Sequence, residues 1–266
     1  MTRIIAIANQ KGGVGKTTTS INLAASLAAT RKRVMLIDMD AQGNATMGSG
    51  IDKHALETTI LEVLLGQASV ADALVKTGET QYELLPANAN LTAAKVDLMS
   101  IEGREFQLRN QLQPVVDDYD YILIDCPPAL DMLTVNALVA AKTVLIPMQC
   151  EYFALEGLSD LVETIEAISE TVNPELRLEG LLRTMFDPRS RLAREVSNQL
   201  SDHFGDKLYR TVIPRNVRLA EAPSYGQAIF DYDRRSKGAI AYLALAGEFI
   251  RRYRALEKPT PAALAN

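Results

Sequence analysis

The segment Asn9-Gln10-Lys11-Gly12-Gly13-Val14-Gly15-Lys16-Thr17-Thr18 concentrates glycines and two lysines between a short apolar run and a stretch of helical spacing that reaches Ala29. Closely spaced glycines let a backbone turn tightly and aim several N–H groups at one point, and the helix that follows adds the positive end of its dipole. Such a turn cradles phosphates. Lys16 supplies a point charge for β- and γ-phosphates, and the Thr17 hydroxyl is placed to ligate Mg²⁺. A glycine turn carrying two solvated lysines is the bland alternative, and the strand before it and the helix after it argue against that. The expected nucleotide-binding set is Lys11, Gly12, Gly13, Val14, Gly15, Lys16, Thr17 and Thr18.

Two further apolar runs end in aspartate. Val34-Met35-Leu36-Ile37-Asp38 reads as a buried strand leading into Asp38-Met39-Asp40-Ala41-Gln42-Gly43-Asn44. Both carboxylates then stand at the carboxyl end of a strand, where α/β sheets hold their ligands, and on an extended chain they point to one side. Tyr121-Ile122-Leu123-Ile124-Asp125 is followed by Cys126-Pro127-Pro128. A hydrophobic strand ending in Asp125 is the Walker B arrangement, in which the carboxylate holds Mg²⁺. An apolar strand ending in Asp is common, so its weight comes from the phosphate loop upstream.

The loop departs from G-x-x-x-x-G-K-[ST] by having Gln10 where glycine is required and Lys11 at its mouth. With that departure it resembles the deviant Walker A box of the family that includes the ParA/Soj chromosome-partitioning ATPases, MinD and the nitrogenase iron protein. The resemblance implies ATP and Mg²⁺ as cofactors. It also implies that Lys11 crosses a sandwich homodimer to the partner's phosphates, so that Lys11, Lys16 and Asp40 are the catalytic residues. Asp40 is then linked to orienting the hydrolytic water, while Thr17, Asp38 and Asp125 serve the metal. Family members usually carry proline where this chain has Ala41, which implies a small change in loop stiffness. The iron protein's cluster needs two suitably placed cysteines per subunit. Cys126 and Cys150 do not match that placement and are expected as small buried hydrophobes.

Further along, Met185-Phe186-Asp187 and Pro214-Arg215-Asn216-Val217-Arg218-Leu219 look like segments of chromosomal Soj-type proteins. The resemblance implies that Pro214, Arg215 and Asn216 lie beside the adenine. It further implies that Arg189 and Arg218 contribute to non-specific double-stranded DNA binding on a surface completed by dimerisation, with a ParB-like centromere-binding protein accelerating hydrolysis. The alternative for each arginine is a solvated charge or a surface salt bridge. Residues 1–182 carry 13 Lys and Arg against 24 Asp and Glu, whereas residues 183–266 carry 15 against 9. A basic last third on a chain of net charge −5 is compatible with a polyanion-binding face and equally with ordinary surface charge.

The elements needed to hold these groups follow from alternation of short apolar strands with helical stretches. It predicts an α/β fold, a mostly parallel twisted sheet with helices on both faces, and with the loop a P-loop NTPase of the deviant Walker A type. Brief surface helices are expected around Ile60–Leu65 and Ala71–Val75, and further helices over 91–100, 105–112, about 153–170 and 236–256. Strands are expected at 82–87, 143–148, 178–185 and 211–214. Residues 1–257 are expected to be one domain and 258–266 a disordered tail. No apolar run is long enough to span a bilayer, and the chain enters a strand at once, so neither leader nor N-terminal domain is expected. With two cysteines and no disulfide framework, a reduced cytoplasm is the expected setting, and the resemblance implies association with the nucleoid and no membrane contact. His54 and His203 lack metal-ligand spacing and read as surface histidines. A MinD-like membrane-cycling ATPase is the main competing reading, but the Pro/Ala-rich terminus makes a poor membrane anchor. A metabolic ligase would need a substrate pocket that no residue pattern identifies.

Overall fold

The computed structural model describes residues 2–79, 82–152 and 154–257. The tail expected at 258–266 lies outside the described residues.

The strands are β1 (Arg3–Ile7), β2 (Val34–Asp38), β3 (Val75–Lys76), β4 (Glu83–Leu85), β5 (Tyr121–Asp125), β6 (Thr143–Met148), β7 (Arg177–Phe186) and β8 (Leu208–Pro214). They form one sheet in the order β3-β4-β2-β5-β1-β6-β7-β8. Every neighbouring pair is parallel except β3 and β4. The helices in the first half are α1 (Lys16–Ala29), α2 (Asn44–Gly48), α3 (Ile60–Leu64), α4 (Val70–Ala73), α5 (Ala94–Asp97) and α6 (Gln107–Leu112). Those in the second half are α7 (Met132–Ala140), α8 (Ala154–Thr171), α9 (Arg191–Phe204), α10 (Val217–Glu221), α11 (Ile229–Tyr232) and α12 (Lys237–Glu257).

Alternation along the central strands divides the core in two. Ile4 and Ala6 of β1, with Met35 and Ile37 of β2, face the side covered by α3, α6, α7 and α9. Ile5, Ile7, Val34 and Leu36 face the side covered by α1, α11 and α12, where Tyr242, Leu245 and Phe249 are fully enclosed. Strands buried on both faces read as continuous apolar runs, which is why the three central ones are legible in the sequence. Each enclosed Leu or Ile contributes about 1.5–3 kcal/mol.

Two expectations need correcting. The segment at 60–65 is not a surface helix: α3 places Ile60, Leu61, Val63 and Leu64 in the core, and Thr59 and Glu62 close its start as a capping box. Val75, expected at the end of a second brief helix, instead pairs antiparallel with Leu84. A short apolar run does not reveal its period, and here tertiary pairing decides it.

One backbone contact fixes the turn after α2 against the turn that closes the segment following α10. Gly50 and Gly226 both have positive φ, 83° and 62°, and a Cβ on Gly226 would stand 2.6 Å from the Gly50 Cα. Neither neighbour has a flexible side chain that can yield. Gly226→Ala is expected to destabilise the chain by about 2–3 kcal/mol, a sum of left-handed strain and overlap. A thermal melt checks this; an unchanged midpoint would mean that the two loops separate freely.

Candidate active site

The phosphate loop lies between the end of β1 and the start of α1. Gly13 and Gly15 take φ of 74° and 87°, in the left-handed region that favours glycine. Gly15 caps α1 without a side-chain hydrogen bond, and the first turn holds no acidic residue. The helix therefore keeps its first N–H groups and its positive dipole end for an anion. Neighbouring strand ends pin the loop. Asn9 Nδ2 donates to the Pro147 carbonyl at 2.8 Å, Thr184 Oγ1 to the Val14 carbonyl at 2.7 Å, and Gln149 Nε2 to the Gly13 carbonyl at 3.2 Å. Loop shape is thus set by β6 and β7, which lie far away in sequence.

Lys16 is buried and donates from Nζ to the Lys11 carbonyl at 3.1 Å. Burial lowers its pKa, while the charges of Asp125 and Asp40 act in the opposite direction. Lys11 is placed differently. Its ammonium points to the outside of the loop and pairs with Glu151 Oε2 at 2.6 Å, both side chains being about half exposed (48% and 51%). Exposed pairs of this kind contribute about 0–1 kcal/mol, so the contact is easily exchanged for another anion.

Asp38 and Asp125 end neighbouring strands in direct register, and both are fully enclosed. Asp38 Oδ2 accepts from the Thr46 backbone N–H and from Thr46 Oγ1, both at 2.8 Å, and Oδ1 accepts from the Asp40 N–H at 3.1 Å. Burial raises Asp38 to about 6. Asp125 Oδ1 accepts from Ser20 Oγ at 2.7 Å, whereas its buried Oδ2 has no hydrogen-bond partner among the described residues. Burial, followed by the Asp38 charge, raises Asp125 to about 7, against the opposing effects of Ser20, Thr17 and Lys16. An unmatched carboxylate oxygen beside a second buried carboxylate is the environment a hard divalent cation relieves. The oxygen donors here, Asp125 with the Thr17 hydroxyl beside it, fit Mg²⁺. Asp40 is half-buried and its Oδ1 accepts from the Gln42 N–H at 2.9 Å, closing its own turn.

The residues expected near the base end β8, on the same edge of the sheet as the phosphate loop. Pro214 stands opposite Phe186 in the β7–β8 register. Asn216 Oδ1 accepts from the Leu219 N–H at 3.2 Å and so caps α10, while the charge of exposed Arg215 acts on Asp187. The two arginines expected to contact DNA are each matched locally. Arg189 holds Asp187 through Nε at 3.0 Å and Nη2 at 2.9 Å, and these bonds, with the Arg189 N–H, lower Asp187 to about 2. Arg218 Nη1 pairs with Glu221 at 2.8 Å, and its Nε lies 3.8 Å from Asp233. Cys126 and Cys150 are buried free thiols, and burial raises both. His54 and His203 are exposed.

Several residues that sequence reasoning passed over shape the site. Ser20 lies four positions after Lys16 on α1, a spacing that puts both on one helix face and offered a readable signal. Thr46, Glu151 and Thr184 gave none, because only folding brings them to Asp38, Lys11 and Val14.

Comparison with known proteins bears on this geometry. The family profile described as AAA domain matches residues 2–178. The sporulation initiation inhibitor protein Soj of Bacillus subtilis is 50% identical over 248 residues, 93% of this chain and 98% of Soj. The chromosome partitioning protein ParA of Myxococcus xanthus is 50% identical over 250 residues, 94% of this chain and 88% of that protein. Among solved structures, cobyrinic acid a,c-diamide synthase from Mycobacterium smegmatis, with bound ADP and magnesium, superposes with a TM-score of 0.85 at 38% identity, covering 98% of this chain and 100% of that one. Among the described residues no helix is long and apolar enough to cross a membrane. Half-identity to Soj and ParA over nearly the whole chain, on a phosphate loop with this second lysine, makes the chain a member of the ParA/Soj family of chromosome-partitioning ATPases.

Proposed function

We propose that this ATPase partitions DNA by switching between a free subunit and an ATP-bound sandwich homodimer that holds double-stranded DNA without reading its sequence. The observation that carries the reading is the separation of the two lysines. Lys16 is buried in its own loop, whereas Lys11 stands outside it on a weak exposed pair, free to reach an anion on a second subunit. ATP binds through the loop amides of residues 11–18 and Lys16, with the base beside Pro214, Arg215 and Asn216. Thr17 and Asp125, with Asp38 behind them, would hold Mg²⁺, which would supply positive charge to the phosphates. Asp40 orients the attacking water, and Lys11 of each subunit meets the phosphates of the other. Positioning and charge stabilisation do nearly all the work in such a site, so the basal rate is slow. A ParB-like DNA-bound protein accelerates hydrolysis, the dimer parts and DNA is released; the protein works in the cytoplasm on the nucleoid. Residues 1–257 form the single domain that does this.

Binding of random-sequence duplex DNA with ATP, with ADP and without nucleotide, at two salt concentrations, tests the reading. ATP-enhanced, sequence-indifferent, salt-sensitive binding is expected. An ATP dimer that ignores DNA would overturn it and bring forward the metabolic chemistry of the Mycobacterium smegmatis relative. Asp40→Ala is expected to dimerise on ATP and stay on DNA with turnover lowered by roughly 100-fold, as for loss of one preorganised group; rapid phosphate release by that variant would remove Asp40 from the chemistry. Glu151→Gln is expected to dimerise at lower ATP concentration, because Lys11 no longer has to leave a carboxylate. The shift is small, within about 1 kcal/mol or fivefold, and sedimentation across an ATP titration measures it.

A further inference from the structure

Among the described residues, two besides glycines have positive φ, Arg31 at 64° and Met185 at 49°. Arg31 follows α1, where its N–H and that of Lys32 bond back to the Ala28 and Leu27 carbonyls, an ordinary left-handed helix stop. Met185 lies inside β7, where no helix end accounts for it. There Arg183 stands opposite Val212 and Phe186 opposite Pro214, so three steps along β7 match two along β8. The strand is bulged at Thr184 and Met185. A bulge re-aims the chain beyond it, and glycine is the residue that takes its left-handed position without strain. A methionine is held there at a cost that its surroundings must meet.

On one side of this bulge is the phosphate loop. Thr184 is buried, and its Oγ1 donates to the Val14 carbonyl at 2.7 Å. Gln149 Nε2 donates to the Gly13 carbonyl at 3.2 Å and to Met185 Sδ at 3.1 Å. The bulge therefore grips two carbonyls of the loop, one directly and one through Gln149. Each of those carbonyls shares a rigid peptide unit with the N–H of the next residue, Val14 or Gly15, inside the stretch expected to meet phosphate. On the other side is the turn that carries Arg189. Asp187 accepts from the Arg189 backbone N–H, Nε and Nη2, and Ser190 Oγ accepts from the Ala193 N–H to begin α9. Met185 is thus the strained residue between the phosphate loop and the Arg189 turn.

We infer that Met185 is a strained joint through which phosphate in the loop sets the position of the Arg189 turn. The inference rests on the DNA-binding reading above and adds a route, inside one subunit, by which ATP gates that contact. Phosphate drawing on the Val14 and Gly15 N–H groups tilts their peptide units, and with them the carbonyls that Thr184 and Gln149 hold. The joint has two arrangements, the left-handed one and the extended one that the rest of β7 uses. Methionine disfavours the first, so a modest pull shifts the balance and re-aims the chain from Phe186 onward. With glycine at the joint the left-handed arrangement carries no penalty, and the same pull shifts the balance less. One repositioned turn makes a weak contact, and the dimer presents two.

The test compares the wild type with M185G and M185A. Each is measured for thermal stability, for ATP-driven dimerisation by sedimentation, and for anisotropy of a labelled random duplex with ATP and with ADP. M185G is expected to melt no earlier than the wild type and still to dimerise on ATP. Its ratio of DNA affinity with ATP to that with ADP is expected to fall by roughly fivefold or more, the weight of one left-handed residue. M185A keeps a residue other than glycine at the joint and is expected to keep the ratio. A second readout needs no DNA. Both native thiols are buried, so R191C can be labelled selectively with an environment-sensitive dye two residues from Arg189. ATP is expected to change its emission, and R191C/M185G, dimerising equally, is expected to lose most of that change. An unchanged ratio in M185G, an equal fall in M185A, or a dye that ignores ATP would each overturn the joint. A wild type whose DNA binding ignores ATP, with a dye that responds in R191C and not in R191C/M185G, would overturn the DNA reading and leave the joint standing.

Discussion

Lys16→Ala is expected to lower ATP turnover by roughly 100- to 1000-fold, the loss seen when one preorganised donor to developing charge is removed. The lysine is buried and positioned by its bond to the Lys11 carbonyl, so its charge acts on a phosphate with little reorganisation. It also lies within electrostatic reach of Asp125, and removing it leaves the paired carboxylates of β2 and β5 less compensated. The variant should therefore melt earlier than the wild type without ligand, as well as binding ATP poorly. Phosphate release and calorimetric titration with ATP measure the first effect, and thermal melting the second. Turnover near the wild-type rate would show that the loop amides and α1 suffice without the cation.

Asp125→Asn is expected to have opposite effects on stability and activity. Asp125 titrates near 7 in the folded chain, where burial and the Asp38 charge oppose its ionisation, against roughly 4 for an exposed carboxylate. Between those values the folded state keeps a proton that the unfolded state gives up, so stability falls as pH rises through this window and the full penalty is present above it. The amide has the shape of the acid and removes the penalty. At pH 8 without Mg²⁺ the variant should be more stable by on the order of 2 kcal/mol, or roughly 5 °C in melting temperature for a chain of this size. At pH 5 the gap should shrink to about a third, and by pH 4 it should nearly close. The same change removes an anionic oxygen from the metal site proposed above, so turnover should fall at least as far as in Lys16→Ala, and Mg²⁺ with ATP should raise the melting temperature of the wild type and not that of the variant. An Asp125→Asn protein less stable than wild type at pH 8 would mean that Ser20 and Lys16 already compensate the charge fully.

The central strands and the phosphate loop were legible because each is a contiguous signal. Buried parallel strands are unbroken apolar runs, and the loop's chemistry lies in eight consecutive residues, 11–18. Carboxylates at the ends of such strands are legible for the same reason, since parallel order puts strand ends on one edge. The short elements between residues 60 and 85 were less so. Four or five apolar residues fit a helix or a strand equally well, and their burial depends on what the rest of the chain lays over them.

The sequence alone determined that a glycine-rich loop stands between β1 and α1 and that Asp38 and Asp125 end strands, because local order dictates both. Tertiary structure decided the electrostatics. It set Asp38 and Asp125 in register so that the Asp38 charge raises Asp125, turned Thr46 and Ser20 onto them, and gave Lys11 a carboxylate from a residue 140 positions away. It also matched Arg189 and Arg218 with acids while leaving Lys207, Arg210 and Arg251 uncommitted at the far edge of the sheet. A charge's partner is a matter of distance in space, and the composition of the basic last third carries no information about which of its cations the fold has already neutralised.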